Sequence, residues 1–361
     1  MSSLRILLPA CAILVLGGEA LVRGNTSGPI GSNGRSLTGT HLGFHGPGAR
    51  ELVYVDLAMG VHLKDKVLPD VKLSGTSFVN DQGAPLSESE LRGGELTGCT
   101  IHDERQVRLR IRDVHAADEA EGKDVKVYTL EYQLAPHGTR CDDRSWQPRS
   151  EPAHWLALCP DPQQVCAAGG AANRDADNRG AIPVSGVWNL HEGPEYGGHK
   201  FDSHSRRISF SCPWGAIGKC VYQNRDGFVW KNPITDDHSD QLHQACVRAM
   251  RADYCGNGRS HTFDGTLLHI FRATAGRSAS DPRYKLEALW DASGAVCVQS
   301  TRYEVDPTDP SERTHEFIQK TCPQRLKACP RRQDGDAAKQ AATVGTEVLP
   351  LEELEQADQG D

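Results

Sequence analysis

Apolar and polar residues alternate in several short runs of this chain, the period-two signature of strands with one face buried. Glu51–Leu57 and Val107–Ile111 follow it, as does Lys126–Leu134, which sets Lys126, Tyr128, Leu130, Tyr132 and Leu134 on one face. These runs predict a β-rich region over residues 51–135. Further strand-like runs lie at Arg206–Ser211, Lys219–Tyr222, Thr266–Arg272, Leu286–Trp290 and Ala295–Tyr303. One segment has helical spacing instead: in Asp240–Arg251, Leu242, Ala245, Cys246 and Met250 fall near one face. Ser239 or Asp240 is suited to cap its start by accepting free amide hydrogens. The glycines within Asp253–Gly258 are suited to end it. Leu86, Leu91, Leu96 and Ile101 recur every five residues, with Leu73 and Phe78 before them. That is little more than one coil of a solenoid, so the spacing predicts turns flanking a sheet. The fold class that follows is α+β, β-rich and mostly antiparallel, with one main helix near residues 240–251.

The ends of the chain read differently. Arg5, the apolar run Ile6–Leu16 and the small residues Gly18 and Ala20 form a secretory signal over residues 1–20, with the mature chain beginning near Leu21. The expected location is therefore extracytoplasmic: secreted, periplasmic or envelope-associated. Lipidation at Cys11 is the lesser reading, because Pro9 makes a poor lipobox and the apolar run continues past the cysteine. Residues 21–50 are rich in Gly, Ser and Asn and read as a linker. Residues 136–180 read as a loop-rich region held by cysteines, and 181–330 as the third folded region. Residues 331–361 carry eight acidic residues against three basic ones, a composition that predicts a disordered tail. No apolar run reaches the ~18–20 residues needed to cross a bilayer. A net charge of −8 without a basic stripe argues against nucleic acid as partner.

Twelve cysteines occur. Removing Cys11 with the signal leaves an odd number, and Cys99, with no other cysteine within forty residues, is the natural odd one. Cys141, Cys159, Cys166, Cys212, Cys220, Cys246, Cys255, Cys297, Cys322 and Cys329 are disulfide candidates in an exported chain. None lies in the close C-x₂₋₄-C spacing of a zinc site or the C-x-x-C of a redox motif, so no metal or cofactor is predicted. Spacing favours Cys246 near Cys255 and a hairpin closed by Cys212 and Cys220. An exchange of partners among these four and Cys297 stays open, since spacing does not encode pairing.

The most specific string is His243-Gln-Ala-Cys246-Val-Arg248-Ala-Met250-Arg251-Ala252-Asp253-Tyr254-Cys255-Gly256-Asn257-Gly258, followed by His261-Thr-Phe-Asp264-Gly-Thr266. It resembles the bacterial ADYC domain family, whose motif is Ala252, Asp253, Tyr254 and Cys255. Phe210-Ser-Cys212 with Gly218-Lys219-Cys220-Val221, and Leu286-Glu287-Ala288-Leu289-Trp290 with Gly294-Ala295-Val296-Cys297, resemble the family's other conserved-order pieces over about residues 185–330. Asn224–Trp230 departs from the shorter turn of that pattern. The resemblance implies an exported protein and no particular activity.

Two readings of chemistry follow. His243 and Cys246 share one helix face at i, i+3, with Asp253 and His261 beyond. Such a set could run acyl transfer, the base generating a thiolate and the carboxylate orienting the base. In the other reading Cys246 and Cys255 are bonded, Arg251 pairs Asp253, and Tyr254 packs in the core. The nucleophile-elbow, zinc-protease, phosphate-loop and dinucleotide signatures are missing from the sequence. Asn173-x-Asp175-x-Asp177 imitates only the start of a calcium loop. His199, Asp202 and His204 make a weak metal set. Trp188, Tyr196, Trp214 and Trp230 sit in Gly/Pro-rich loops, where they cap a small core or line a carbohydrate or peptide surface. The leading expectation is a non-enzymatic binding or structural module of the cell envelope or extracellular matrix, with a protein or envelope carbohydrate as partner. The alternative is an extracellular hydrolase built on the Cys/His/Asp set.

Overall fold

The structure is a computed structural model that describes residues 36–40, 53–63, 66–100, 104–117, 125–136, 139–141, 155–160, 180–188, 206–222, 237–263, 266, 268–272, 283–307, 309–329 and 344–348. It is β-rich, its strand ladders are antiparallel, and it belongs to the α+β class that the patterning predicts.

The first half builds one large sheet. Its strands are β1 (Val53–Asp56), β2 (Val61–His62) and β3 (Val67–Leu68), then, after the hairpin β4 (Lys72–Ser74) and β5 (Ser77–Val79), β6 (Glu95–Thr100). There follow the long hairpin β7 (Gln106–Ala116) and β8 (Lys126–Leu134), then β9 (Leu156–Ala157), β10 (Ile182–Ser185) and β11 (Arg207–Ser211). The order is β10-β11-β1-β6-β7-β8-β9. Tyr128 and Ala181 exchange backbone hydrogen bonds of 2.8 and 2.7 Å, tying β8 back to the entry of β10. The sheet therefore curls on itself around Val55, Leu96, Leu109, Leu130, Tyr132, Ile208 and Phe210. Alternation along β8 is what sends Tyr128, Leu130 and Tyr132 to the same inner side. The five-residue leucine spacing becomes a hairpin, a short capped helix (Glu88–Leu91) and a strand, with Leu91 and Leu96 buried.

The second half is a helix on a four-stranded sheet. The strands are β12 (Leu268–Arg272), β13 (Lys285–Asp291) and β14 (Gly294–Val298), the small hairpin β15 (Val305–Asp306) and β16 (Asp309–Arg313), and β17 (Val344–Val348). The sheet order is β12-β17-β13-β14. Leu268, Ile270, Ala288, Trp290, Val344 and Val348 share one apolar cluster with Leu242, Ala245, Ala249 and Met250 of the helix Asp237–Arg251.

Several expectations are corrected. The helix begins at Asp237, so Ser239 and Asp240 lie inside its first turn and do not cap it. Lys219–Tyr222 belongs to a helix, Ala216–Tyr222, not a strand. Local alternation loses there to tertiary contacts: the helix's first amides, Ala216 N and Ile217 N, donate to Ser36 O and Leu37 O at 3.0 Å. Residues 36–40, within the expected linker, are thus docked. Thr38 O takes Cys212 N at 2.7 Å and Gly39 O takes Trp214 Nε1 at 2.9 Å.

Among the described residues every cysteine pairing is long-range. The bonds are Cys99–Cys141, Cys159–Cys212, Cys220–Cys246, Cys255–Cys322 and Cys297–Cys329. Cys99 is therefore not the odd one, and neither close pair forms. Cys212, just after β11, faces the curled sheet, whereas Cys220 sits a helical stretch later against the long helix. Cys11 and Cys166 lie outside the described residues. Loops of 26 to 67 residues are closed, each worth roughly 3–4 kcal/mol through the entropy denied to the unfolded chain.

The largest correction concerns the acidic terminal segment. Its residues 344–348 form β17, hydrogen-bonded to a strand on either side. Net charge misled here, because the five residues Val-Gly-Thr-Glu-Val contain one charge and suit a strand. A chain ending at Thr343 should lose at least about 4 kcal/mol: two buried valines at ~1.5–3 kcal/mol each, plus an orphaned Trp290 Nε1. Urea unfolding measures this; an unchanged midpoint would show that β17 contributes nothing.

Candidate functional site

The ADYC string sits where the long helix ends inside the protein. The last four carbonyls of a helix have no partner within it, and burial away from water makes each one costly. Here all four are met. Arg248 O takes Asp253 N at 3.0 Å and Ala249 O takes Ala252 N at 3.2 Å. This paired pattern is a Schellman turn, which needs a left-handed residue at its pivot. Ala252 supplies it, with φ +51° and its methyl in the core. Arg251 O takes His261 N and Ser260 Oγ, both at 3.0 Å.

Arg302 completes the set from across the fold. Its Nη1 donates to Met250 O (3.1 Å) and Thr262 Oγ1 (3.2 Å). Nη2 donates to Ala249 O (2.8 Å) and Glu287 Oε2 (2.8 Å), and Nε to Glu287 Oε1 (3.1 Å). All five guanidinium hydrogens are spent. The pair is buried on both sides. Glu287 Oε1 also accepts the Tyr254 hydroxyl at 2.7 Å, and that hydroxyl oxygen accepts Arg302 N at 2.7 Å. The Tyr254 ring stacks on Trp290, with centroids 5.3 Å apart.

The rest of the motif is equally committed. Asp253, fully buried, pairs with Arg248 and accepts Asn257 N at 3.0 Å and Gly258 N at 2.9 Å. Its partner is thus Arg248 and not Arg251. In many Schellman turns an apolar contact joins these two positions; here an ion pair does. Cys255 bonds Cys322. Gly256 lies so close to the β13–β14 turn that a Cβ there would fall 1.9 Å from Ser293 O, and Gly294 is crowded in return by Tyr254 O.

The four residues of the Cys/His/Asp set are not brought together as one. The Cys246 sulfur is bonded to Cys220, and His243 Nε2 meets Ile217 O at 3.1 Å with its ring edge-on to Trp188. Asp253 faces Arg248, whereas His261 Nδ1 lies 3.1 Å from Asp306 Oδ2. Asp306 is held in turn by Arg259 at 2.6 Å, whose guanidinium lies over the Phe317 ring. Among the described residues no group of three or more His, Cys, Asp or Glu is arranged to hold a metal. Trp188 is fully buried and Trp214 partly so. Asn173, Asp175, Asp177, Tyr196, His199, Asp202, His204, Asn224 and Trp230 lie outside the described residues.

Glu287, Arg302 and Thr262 are not legible in the sequence as a unit. Glu287 carried a signal, a lone charge inside an apolar strand run. Arg302 carried none, because what it caps is distant in sequence.

What the geometry defines is a disulfide-stapled helix-on-sheet unit whose signature residues are interior joints. A family model described as the ADYC domain matches residues 86–304, more than half of the chain, and the chain belongs to that family. The match begins about a hundred residues before the stretch that the motifs alone pointed to, just ahead of the short helix Glu88–Leu91 that precedes β6. No curated protein and no solved structure matches the chain.

Two measurements check the node. Breaking a buried ion pair on one side costs ~3–5 kcal/mol because the other charge stays behind. Arg302→Met alone and Glu287→Gln alone should each destabilise strongly, and the double variant should cost clearly less than their sum; strict additivity in urea unfolding would contradict a coupled pair. Burial first, and the Glu287 charge second, hold the Tyr254 phenol well above its ordinary value of 10. The unfolded chain ionises this group near 10 while the folded one keeps its proton. Its contribution is therefore intact below pH 10 and lost as pH rises above it. Thermal melts between pH 8 and 11 should fall only at the alkaline end for the wild type, and Tyr254→Phe should flatten that fall.

Proposed function

We propose that this chain is an exported, non-enzymatic binding or structural module of the cell envelope or extracellular matrix, with a protein or an envelope carbohydrate as partner. One observation carries the reading: the sulfur that a hydrolase of this motif would need is bonded to Cys220. A bonded sulfur offers no thiolate for attack. The burial of Asp253, Tyr254 and His261 supports the same reading, since no substrate reaches side chains without exposed surface. Five disulfides among the described residues support an oxidising, extracytoplasmic location. Among those residues no helix is long and apolar enough to cross a membrane.

Alkylation of the native protein without reductant, followed by peptide mass mapping, tests this. Cys246 should be found joined to Cys220 and unmodified. An alkylated Cys246 in the folded protein, together with ester or peptide hydrolysis lost in Cys246→Ser, would establish the hydrolase instead.

A further inference from the structure

β17 contacts the rest of the fold as a bound peptide would. Its five residues are paired antiparallel on both sides, Leu268–Arg272 of β12 along one edge and Lys285–Trp290 of β13 along the other. Among the described residues β12 has no other strand neighbour. The covalent tie runs through residues 330–343 from Cys329, which is fixed to β14 by its bond to Cys297.

The slot between β12 and β13 inspects each position. Val344 and Val348 enter the apolar layer under the long helix. Thr346 Oγ1 accepts Trp290 Nε1 at 2.8 Å. On the opposite face, a Cβ on Gly345 would fall 2.2 Å from Phe271 Cζ, so any larger residue must displace the buried Phe271 ring. Glu347, fully buried, faces His269 Nδ1 at 3.3 Å. Backbone pairing supplies affinity in such an arrangement and alternate side chains supply selectivity. Few foreign segments satisfy apolar, Gly, Thr, Glu, apolar in succession. The chain's own terminal segment does.

We propose that the β12–β13 slot is a sequence-selective strand-binding site and that a second copy of this chain can fill it in trans with its own residues 344–348. The connection over residues 330–343 can stretch to about 50 Å at full extension, enough to reach a neighbouring molecule. In cis its effective concentration is on the order of millimolar. Closed monomers therefore dominate dilute solutions, and exchange grows where chains fold crowded together. The inference rests on strand pairing and stands whether or not the chain is an enzyme.

The test uses the full chain with a protease site placed within residues 334–339, cleaved after folding. The probe is a fluorescent peptide of residues 343–349, added to cleaved and uncleaved protein. The cleaved protein should keep its terminal fragment through gel filtration and exchange it for the probe, while uncleaved protein takes up none. A probe carrying Gly345→Val should bind at least ~10-fold more weakly, the cost of forcing one clash in a packed site. In a second arm, two differently tagged uncleaved chains are unfolded and refolded together at rising concentration. Co-capture should rise with concentration and be suppressed by excess free peptide. Equal binding of the two probes, unfolding of the protein on cleavage, or no co-capture at any concentration would overturn the proposal.

Discussion

A helix that ends at a protein's surface leaves its last carbonyls to water, but one that ends in the interior must find a donor for each of them. The helix Asp237–Arg251 ends in the interior, and the Arg302 guanidinium is what allows it to. One planar cation satisfies two helix carbonyls, one hydroxyl and one buried carboxylate at once. A lysine could not do so, since three hydrogens cannot cover five acceptor directions and its charge is a compact point. The cation also lies where the helix dipole is negative, so capping and electrostatics act in the same sense. Glu287 balances the charge, and Tyr254 bridges the carboxylate to the Arg302 backbone. Helix, sheet and the turn after the sheet thus share one polar joint.

This joint explains why the motif takes the residues it does. Ala252 turns the chain through the left-handed region where a larger side chain would not fit the core. Asp253 ties the turn to the last full turn of the helix. Tyr254 reaches the joint, and Cys255 fastens the turn to the helix Thr314–Thr321 at its C-cap, Cys322. Residues that look like an active-site inventory when read in sequence are here the parts of a capped corner. The same geometry withholds Ala252, Asp253 and Tyr254 from solvent, which is why the functional reading moves away from the motif and toward surfaces and strand pairing.

The sequence carried the strand-rich class and the strands that became β7 and β8, though not their pairing, because alternation is a local signal and these strands have one buried face each. It carried the long helix for the same reason. It did not carry the disulfide partners, whose closeness is set by topology: Cys220 and Cys246 meet only after two helices pack. Nor did it disclose Arg302, which looks like any surface arginine until Glu287 and the helix end are placed beside it. β17 was hidden by averaging: an acidic stretch masked a five-residue segment with strand composition. The helix Ala216–Tyr222 was hidden for the opposite reason, since its first amides depend on carbonyls at residues 36 and 37.

The joint of Arg302, Glu287 and Tyr254 should open only when the whole second half unfolds. Native-state hydrogen exchange measures this at single amides. The amide of Arg302, bonded to the Tyr254 hydroxyl, and those of Ala252 and Asp253, bonded to the helix end, should exchange with the same free energy as the central strand amides of β13 and should follow denaturant with the global slope. Exchange of these three amides through local opening, well before β13 and with little denaturant dependence, would contradict the account.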